Sequence, residues 1–156
     1  MRYRKSSHQL IVLAAALFFL VGCHASAATP GPLATIPPTT TPPVLVTSAE
    51  TLIGNWKPVS NSSDAMFLRV NSDGTCRQSY SLDGLTSTAQ VECTYTFEGG
   101  NLAMTAVKLN GVPACPSPTG KYEVRLVADN KIQLVAIEDT CTPRKNSTRG
   151  VYQRIP

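Results

Sequence analysis

Histidine is almost absent from this chain, because its two histidines, His8 and His24, both lie near the N-terminus. The rest of the chain therefore lacks the side chain that most often serves as a general base to activate a serine or cysteine. Glu138 and Asp139 are adjacent, and neighbours on a strand point to opposite faces, which makes a catalytic pair a poor interpretation. We expect Asp139 instead to accept hydrogen bonds from loop amides or to pair with Arg144. With no phosphate loop or nucleotide fingerprint, the sequence predicts a protein that is not an enzyme and uses no cofactor.

Charge of one sign is also scarce. The chain has 14 Lys and Arg residues against 10 Asp and Glu, a formal net charge of +4. Three of the basic residues, Arg2, Arg4 and Lys5, belong to the N-terminal segment, so that the remainder is nearly neutral. No basic block is left that could neutralise a row of phosphates, and nucleic acid is not an expected partner.

Only one long hydrophobic run occurs, from Leu10 to Leu20, directly after the basic start. Its length is typical of a secretory signal and is short of the about 20 residues that span a bilayer. The run ends in Leu20-Val21-Gly22-Cys23, which resembles the lipobox of bacterial lipoproteins. The alternatives are an ordinary signal peptide cut after Ala25 or Ala27, or an uncleaved anchor helix.

The lipobox resemblance implies a division of the chain and a location. Residues 1–22 would be removed as a signal peptide, and Cys23 would carry diacylglycerol on its thiol and an acyl chain, such as palmitate, on its amine. Acyl chains bind membranes by burying methylene groups, at about 0.8 kcal/mol each. We therefore expect an extracytoplasmic protein that is anchored through Cys23 to the lipid bilayer of a bacterial cell envelope.

Residues 23–49 form a predicted linker. After Cys23 the segment is rich in proline and threonine up to Ser48, and it has no aromatic residue. Such a composition favours extended polyproline II and offers too little apolar surface to form a core. We interpret the segment as a spacer; its threonines also permit O-glycosylation on composition alone.

Residues 50–156 predict one all-β domain. Apolar and polar residues alternate in short runs. These runs are separated by turn residues such as Asp73-Gly74, Asp83-Gly84 and Glu98–Asn101. We expect about eight strands joined by hairpins, and a small antiparallel up-and-down β-barrel is the simplest way for them to remove their edges. An open or sandwiched sheet is the alternative. No long helical pattern interrupts the strands, and residues 138–149 are predicted to be a loop.

Four cysteines lie in this domain: Cys76, Cys93, Cys115 and Cys141. An even number in an exported domain indicates two disulfides. Cys76 and Cys93 are equidistant from the centre of the predicted turn Asp83–Thr86, which lies between Gly84 and Leu85, so we expect them to face each other on adjacent strands. Cys115 and Cys141 then pair by elimination and join two loops at one end of the barrel. No Cys-x-x-Cys or Cys-x-x-His spacing suggests a metal site.

Gly54-Asn55-Trp56 resembles the Gly-x-Trp motif that opens the first strand of lipocalins and their calycin relatives. The resemblance covers Leu52 to Ile155. It implies that Trp56 plugs one barrel end and that an arginine, Arg154 or else Arg149, packs across the indole ring, a contact worth about 0.5–2 kcal/mol. The sequence departs from larger lipocalins because no helix is predicted before the last strand.

This resemblance implies a binding module for a small apolar or amphipathic ligand. The alternatives are a lipoprotein that binds an extracellular protein, such as a lysozyme or protease inhibitor acting through the loop Val112–Pro118, and a structural envelope barrel with a solid core. The residues expected to face inwards are Tyr80, Val91, Tyr95, Leu102, Met104, Tyr122, Val124, Leu126 and Leu134. Among them Tyr80, Tyr95, Met104, Tyr122 and Leu134 are the candidate ligand-binding residues.

Overall fold

A computed structural model describes residues 42–156. The predicted signal peptide, Cys23 and most of the predicted linker lie outside the described residues. The strands are β1 (Val44–Leu45), β2 (Gly54–Pro58), β3 (Phe67–Val70), β4 (Thr75–Ser79), β5 (Val91–Glu98), β6 (Asn101–Leu109), β7 (Thr119–Ala128), β8 (Lys131–Glu138) and β9 (Gly150–Ile155). One α-helix, α1 (Thr142–Thr148), and two 3₁₀ turns, Ala49–Leu52 and Asp83–Leu85, complete the described elements.

Strands β2 to β9 form a closed antiparallel barrel. Each pairs with its neighbours in sequence, and β9 returns to β2, with Trp56 opposite Arg154. The predicted eight-stranded up-and-down barrel is therefore confirmed. Closure removes the exposed strand edges, since every wall strand gains a partner on both sides.

The two ends of the barrel differ in the length of their connections. At one end, which we name the tryptophan end, tight turns join β3 to β4, β5 to β6 and β7 to β8. The first of these turns is formed by Asp73, which accepts a hydrogen bond from the Thr75 amide at 2.9 Å, and by Gly74 with φ of +82°. Only glycine adopts that backbone conformation at no steric cost. At the opposite end, the loop end, all the connections are longer, and they supply the walls of the site described below.

Apolar side chains fill the barrel interior. The buried cluster comprises Val46, Leu52, Trp56, Leu68, Val70, Cys76, Cys93, Leu102, Met104, Tyr122, Val124, Ile132, Leu134 and Tyr152. Burying one large apolar side chain contributes about 1.5–3 kcal/mol, so this cluster is the main source of stability. All of its members and both disulfides lie between residues 46 and 152, so that a chain from His24 onward contains everything the barrel needs to fold.

Strand pairing in the described residues begins before residue 50. Val44 and Leu45 form β1, which pairs with Leu126 and Arg125 of β7, and the Val46 amide donates to the Val124 carbonyl at 3.0 Å. The last residues of the predicted linker therefore belong to the barrel wall, where they pair with the part of β7 that extends beyond β6. The chain enters the barrel close to the tryptophan end.

The connection from β8 to β9 contains a helix that the sequence did not predict. Helix α1 spans Thr142–Thr148, with Pro143 in its first turn, where proline costs no hydrogen bond. The side chains it buries, Ser147 and Thr148, are polar, so α1 carries no apolar periodicity. The expected loop over residues 138–149, and the expected absence of a helix before the last strand, were both wrong.

Candidate ligand-binding cleft

The tryptophan end of the barrel is closed by Trp56. The guanidinium carbon of Arg154 lies 4.3 Å from the centroid of the indole ring, and the indole N–H donates to the Leu52 carbonyl at 2.8 Å. Arg154 also donates to the carbonyls of Thr51 and Ile53, which fixes the 3₁₀ turn across this end.

Gly54 gives the arginine its room, and the second predicted arginine lies elsewhere. A Cβ atom on Gly54 would lie 2.7 Å from Nη1 of Arg154, and its φ of +133° also favours glycine. Arg149 is exposed at the C-terminus of α1, towards the loop end, so its assignment as an alternative partner of Trp56 was wrong. At this end the indole N–H and the Arg154 guanidinium are thus satisfied by contacts within the chain.

The loop end contains a cleft of about 410 Å³. Its lining comes from the ends of β4, β5 and β6, from the β2–β3 and β6–β7 connections, and from one side of α1. The apolar lining residues are Met66, Tyr80, Val91, Ala106, Val107, Leu109, Val112, Pro113, Ala114, Pro118 and Pro143. The polar ones include Asp64, Gln78, Arg144, Asn146 and Ser147. The volume and the mainly apolar lining with a few polar groups are typical of small-molecule sites.

Apolar side chains also form an exposed rim. Val107 is 69% exposed, Tyr80 52% and Leu109 37%. Val107 and Leu109 remain exposed because β7 starts opposite Thr105, so that the last residues of β6 extend beyond their neighbour. Contiguous exposed apolar surface of this kind marks binding sites more often than single exposed residues do.

A disulfide joins the two walls of the cleft. Cys115, in the loop between β6 and β7, bonds to Cys141, which precedes α1, with a Cα–Cα distance of 5.6 Å. The other disulfide, Cys76–Cys93, lies in the barrel wall at directly opposed positions of β4 and β5, with a Cα–Cα distance of 4.9 Å. Both pairs match the pairing expected from the sequence.

A buried ion pair fixes the same walls. The Asp139 side chain is fully buried and accepts two hydrogen bonds from Arg144, at 2.7 and 2.9 Å. Arg144 also donates to the carbonyls of Ser117 and Thr119, each at 2.8 Å, and so holds the β6–β7 loop against α1. The expected pairing of Asp139 with Arg144, and the hydrogen bond from a loop amide, that of Cys141 at 2.9 Å, are both present.

The ionisation states follow from these contacts. Burial by itself would raise the pKa of Asp139, but hydrogen bonds from Arg144, Tyr122 and the Cys141 amide together hold this pKa below its usual value. The Asp139 carboxylate raises the pKa of the Arg144 guanidinium. Burial, and then the hydrogen bond to Asp139, raise the pKa of Tyr122 well above its usual value. Asp139 is thus an ionised acceptor, and Tyr122 is a neutral donor.

Polar contacts attach the C-terminus of α1 to the barrel beneath the cleft. The side-chain amide of Gln78 donates to the Thr148 hydroxyl at 3.0 Å, and the backbone N–H of Met66 donates to the Ser147 carbonyl at 3.2 Å. The Tyr152 hydroxyl contacts the carbonyls of Ser147 and Thr148 at 3.2 and 2.9 Å. These contacts satisfy the buried polar groups that α1 brings to the apolar core.

The candidate ligand residues from the sequence fall into three groups. Met104, Tyr122 and Leu134 are buried in the solid core, so their assignment to a ligand cavity was wrong. Tyr95 packs against that core towards the tryptophan end, where its hydroxyl donates to the Asn71 carbonyl at 2.8 Å. Tyr80 does line the cleft, but it follows the end of β4 and is exposed at the rim rather than directed into the barrel.

Of the other residues expected to face inwards, Leu102 and Val124 lie in the core, Val91 lines the cleft, and Leu126 is exposed. Most of the lining was not predicted, because it comes from the end of β6, the β6–β7 loop and α1. The sequence offered one usable signal for it, the expected disulfide that joins Cys115 to Cys141.

Two further observations concern residues 42–156. No three side chains of His, Cys, Asp or Glu come together there as a metal-binding group. None of the helices in this part of the chain has the length and apolar character needed to cross a membrane.

Comparison of the chain with protein-family models, curated proteins and solved structures found no match.

Proposed function

We propose that this protein is an extracytoplasmic binding protein whose barrel takes one small apolar or amphipathic molecule into the cleft at its loop end. The observation that carries the proposal is the cleft itself, about 410 Å³ with mainly apolar lining. The barrel core is solid, so a ligand would bind above it, between the β6–β7 loop and α1. The walls are fixed by a disulfide and a buried ion pair, which lowers the entropy lost on binding.

The tether is part of the proposal. Acyl chains on Cys23 would hold the protein on the bacterial envelope membrane, and the Pro/Thr linker would act as the spacer. Two disulfides in a domain of this size suit an oxidising compartment, which supports an extracytoplasmic location. Because the linker joins the barrel close to the tryptophan end, the cleft lies at the end away from the point of attachment.

Calorimetric titration with 1-octanol tests the proposal on residues 24–156, produced under oxidising conditions. We expect saturable binding at one site. Ala106→Phe places a ring in the cleft and should abolish binding, whereas Val59→Phe, at an exposed loop position outside the lining, should leave binding unchanged. Equal binding by both variants would overturn the assignment of the site.

A protein ligand is the second candidate, and the exposed rim favours it. Val107 and the neighbouring Pro113 and Ala114 form an apolar surface that the Cys115–Cys141 disulfide holds in place. If the protein is an inhibitor of lysozyme, addition of the domain should lower lysozyme activity, and Val107→Asp should remove that effect. Unchanged lysozyme activity would exclude this target.

A further inference from the structure

Gln78 places a nearly buried amide at the floor of the cleft. It belongs to β4, is only 3% exposed and lines the cleft. Its neighbour is the fully buried Thr148, at the C-terminus of α1.

The Gln78 amide is oriented by its contact with Thr148. Its NH₂ group donates to the Thr148 hydroxyl at 3.0 Å, so that its carbonyl oxygen Oε1 points away from Thr148. An amide carbonyl oxygen can only accept hydrogen bonds.

The Oε1 atom of Gln78 has no partner within the described part of the chain. Gln78 is only 3% exposed, and no group of residues 42–156 donates to Oε1. Every fully buried side-chain oxygen or nitrogen among the same residues does have a partner, so Oε1 must keep contact with open space. Since Gln78 lines the cleft, that space is the cleft.

The other polar groups of the cleft do not call for a charged ligand. Arg144 is neutralised by Asp139, and its guanidinium is occupied by the carbonyls of Ser117 and Thr119. Asp64 is exposed at the edge. The floor thus offers the nearly buried neutral acceptor Oε1 of Gln78 among apolar side chains such as Met66 and Val91.

We infer that the cleft binds a neutral molecule with an apolar body and one hydrogen-bond donor, a hydroxyl or an amide N–H, that donates to Oε1 of Gln78. This inference rests on the proposed small-molecule function and assigns Gln78 as its specificity-determining residue. A ligand without a donor would leave Oε1 unpaired when it displaces water, and an anion would lose its hydration and face a carbonyl oxygen.

Two isomers of equal size test the inference on residues 24–156: 1-octanol, which has a donor, and 1-methoxyheptane, which has none. Octanoate serves as the anionic probe. Titration calorimetry on the wild-type chain should give a dissociation constant about tenfold lower for 1-octanol than for 1-methoxyheptane, with octanoate weaker still. In Gln78→Met, which keeps the length of the side chain, the two isomers should bind equally.

Asn146→Leu is the matched control, because Asn146 is another uncharged amide of the cleft lining. It should keep the preference for 1-octanol. Equal binding of both isomers to the wild-type chain would overturn the role of Gln78 and leave the proposed function standing, whereas binding of neither would overturn both. Tightest binding by octanoate would overturn the neutral ligand class. The wild-type comparison decides these points even if Gln78→Met fails to fold.

Discussion

At the scale of single residues, Trp56 does the most to close the barrel. Its ring is buried beneath Arg154, and its N–H is satisfied by the Leu52 carbonyl. We predict that Trp56→Ala lowers the free energy of unfolding by about 3–5 kcal/mol, because it removes a large buried side chain and leaves a cavity. Urea denaturation followed by circular dichroism measures this change. Trp56→Phe, which keeps a ring and loses the N–H, should cost less, and equal losses for the two variants would contradict the account.

Asp139 should make the free energy of unfolding depend on pH in the acidic range. Its pKa is lowered in the folded protein, so its contribution is present above the unfolded value of about 3.9 and is lost as the pH falls through the folded pKa. We predict that the free energy of unfolding falls less steeply between pH 5 and about pH 3 in Asp139→Asn than in the wild type. Urea denaturation at a series of pH values measures the slope.

The control for this prediction is Asp129→Asn, at an exposed position in the turn between β7 and β8. It should keep the wild-type slope. At neutral pH Asp139→Asn should also be destabilised, since it leaves Arg144 without its buried partner. A slope in Asp139→Asn equal to that of the wild type would show that another group carries the acid dependence.

At the scale of elements, the two disulfides have different tasks. Cys76–Cys93 joins two strands that already pair, while Cys115–Cys141 joins the walls of the cleft. Removing either one should cost about 2–4 kcal/mol of stability. We predict that Cys115→Ser with Cys141→Ser also weakens 1-octanol binding at least severalfold, whereas Cys76→Ala with Cys93→Ala leaves the affinity of the folded fraction unchanged. Calorimetric titration well below both melting temperatures checks this, and equal affinities in both double variants would contradict it.

The elements also show which features were predictable from the sequence. The strands were predictable because period-two alternation and turn residues are local signals. The register of β4 with β5 followed from the symmetry of Cys76 and Cys93 about the point between Gly84 and Leu85. Helix α1 was missed because it is short and buries Ser147 and Thr148 rather than an apolar stripe. Tyr80 was misplaced because β4 ends one residue before it, so the alternation no longer applies.

The cleft was not predictable for a related reason. Its walls come from segments that are distant in sequence, and the contacts that bring them together, such as Arg144 with the Ser117 carbonyl, use backbone atoms that leave no pattern in side chains. The sequence favoured aromatic and apolar strand residues as ligand contacts, but in a barrel this small those side chains fill the interior. Nothing in the sequence distinguished Gln78, a polar residue of β4, from the other polar residues of the strands.

At the scale of the whole molecule, the proposed lipid tether at Cys23 would determine where the barrel works. We predict that Cys23→Ser blocks maturation or moves the protein from the membrane fraction to the soluble fraction, because the thiol that would receive diacylglycerol is gone. Fractionation and mass spectrometry of the mature protein check this. An unmodified N-terminus that begins beyond Cys23 in the wild-type protein would contradict lipidation and favour an ordinary signal peptide.

The central claim is that a closed, solid barrel binds its ligand above the core at the loop end. The most direct test is a titration of ¹⁵N-labelled residues 24–156 with 1-octanol, followed by amide chemical shifts. We predict shifts at Gln78, at Ala106–Leu109, at residues 112–118 and in α1, with the indole N–H of Trp56 unmoved. Shifts centred on Trp56 and the core strands, or no saturable shifts at the cleft, would contradict it.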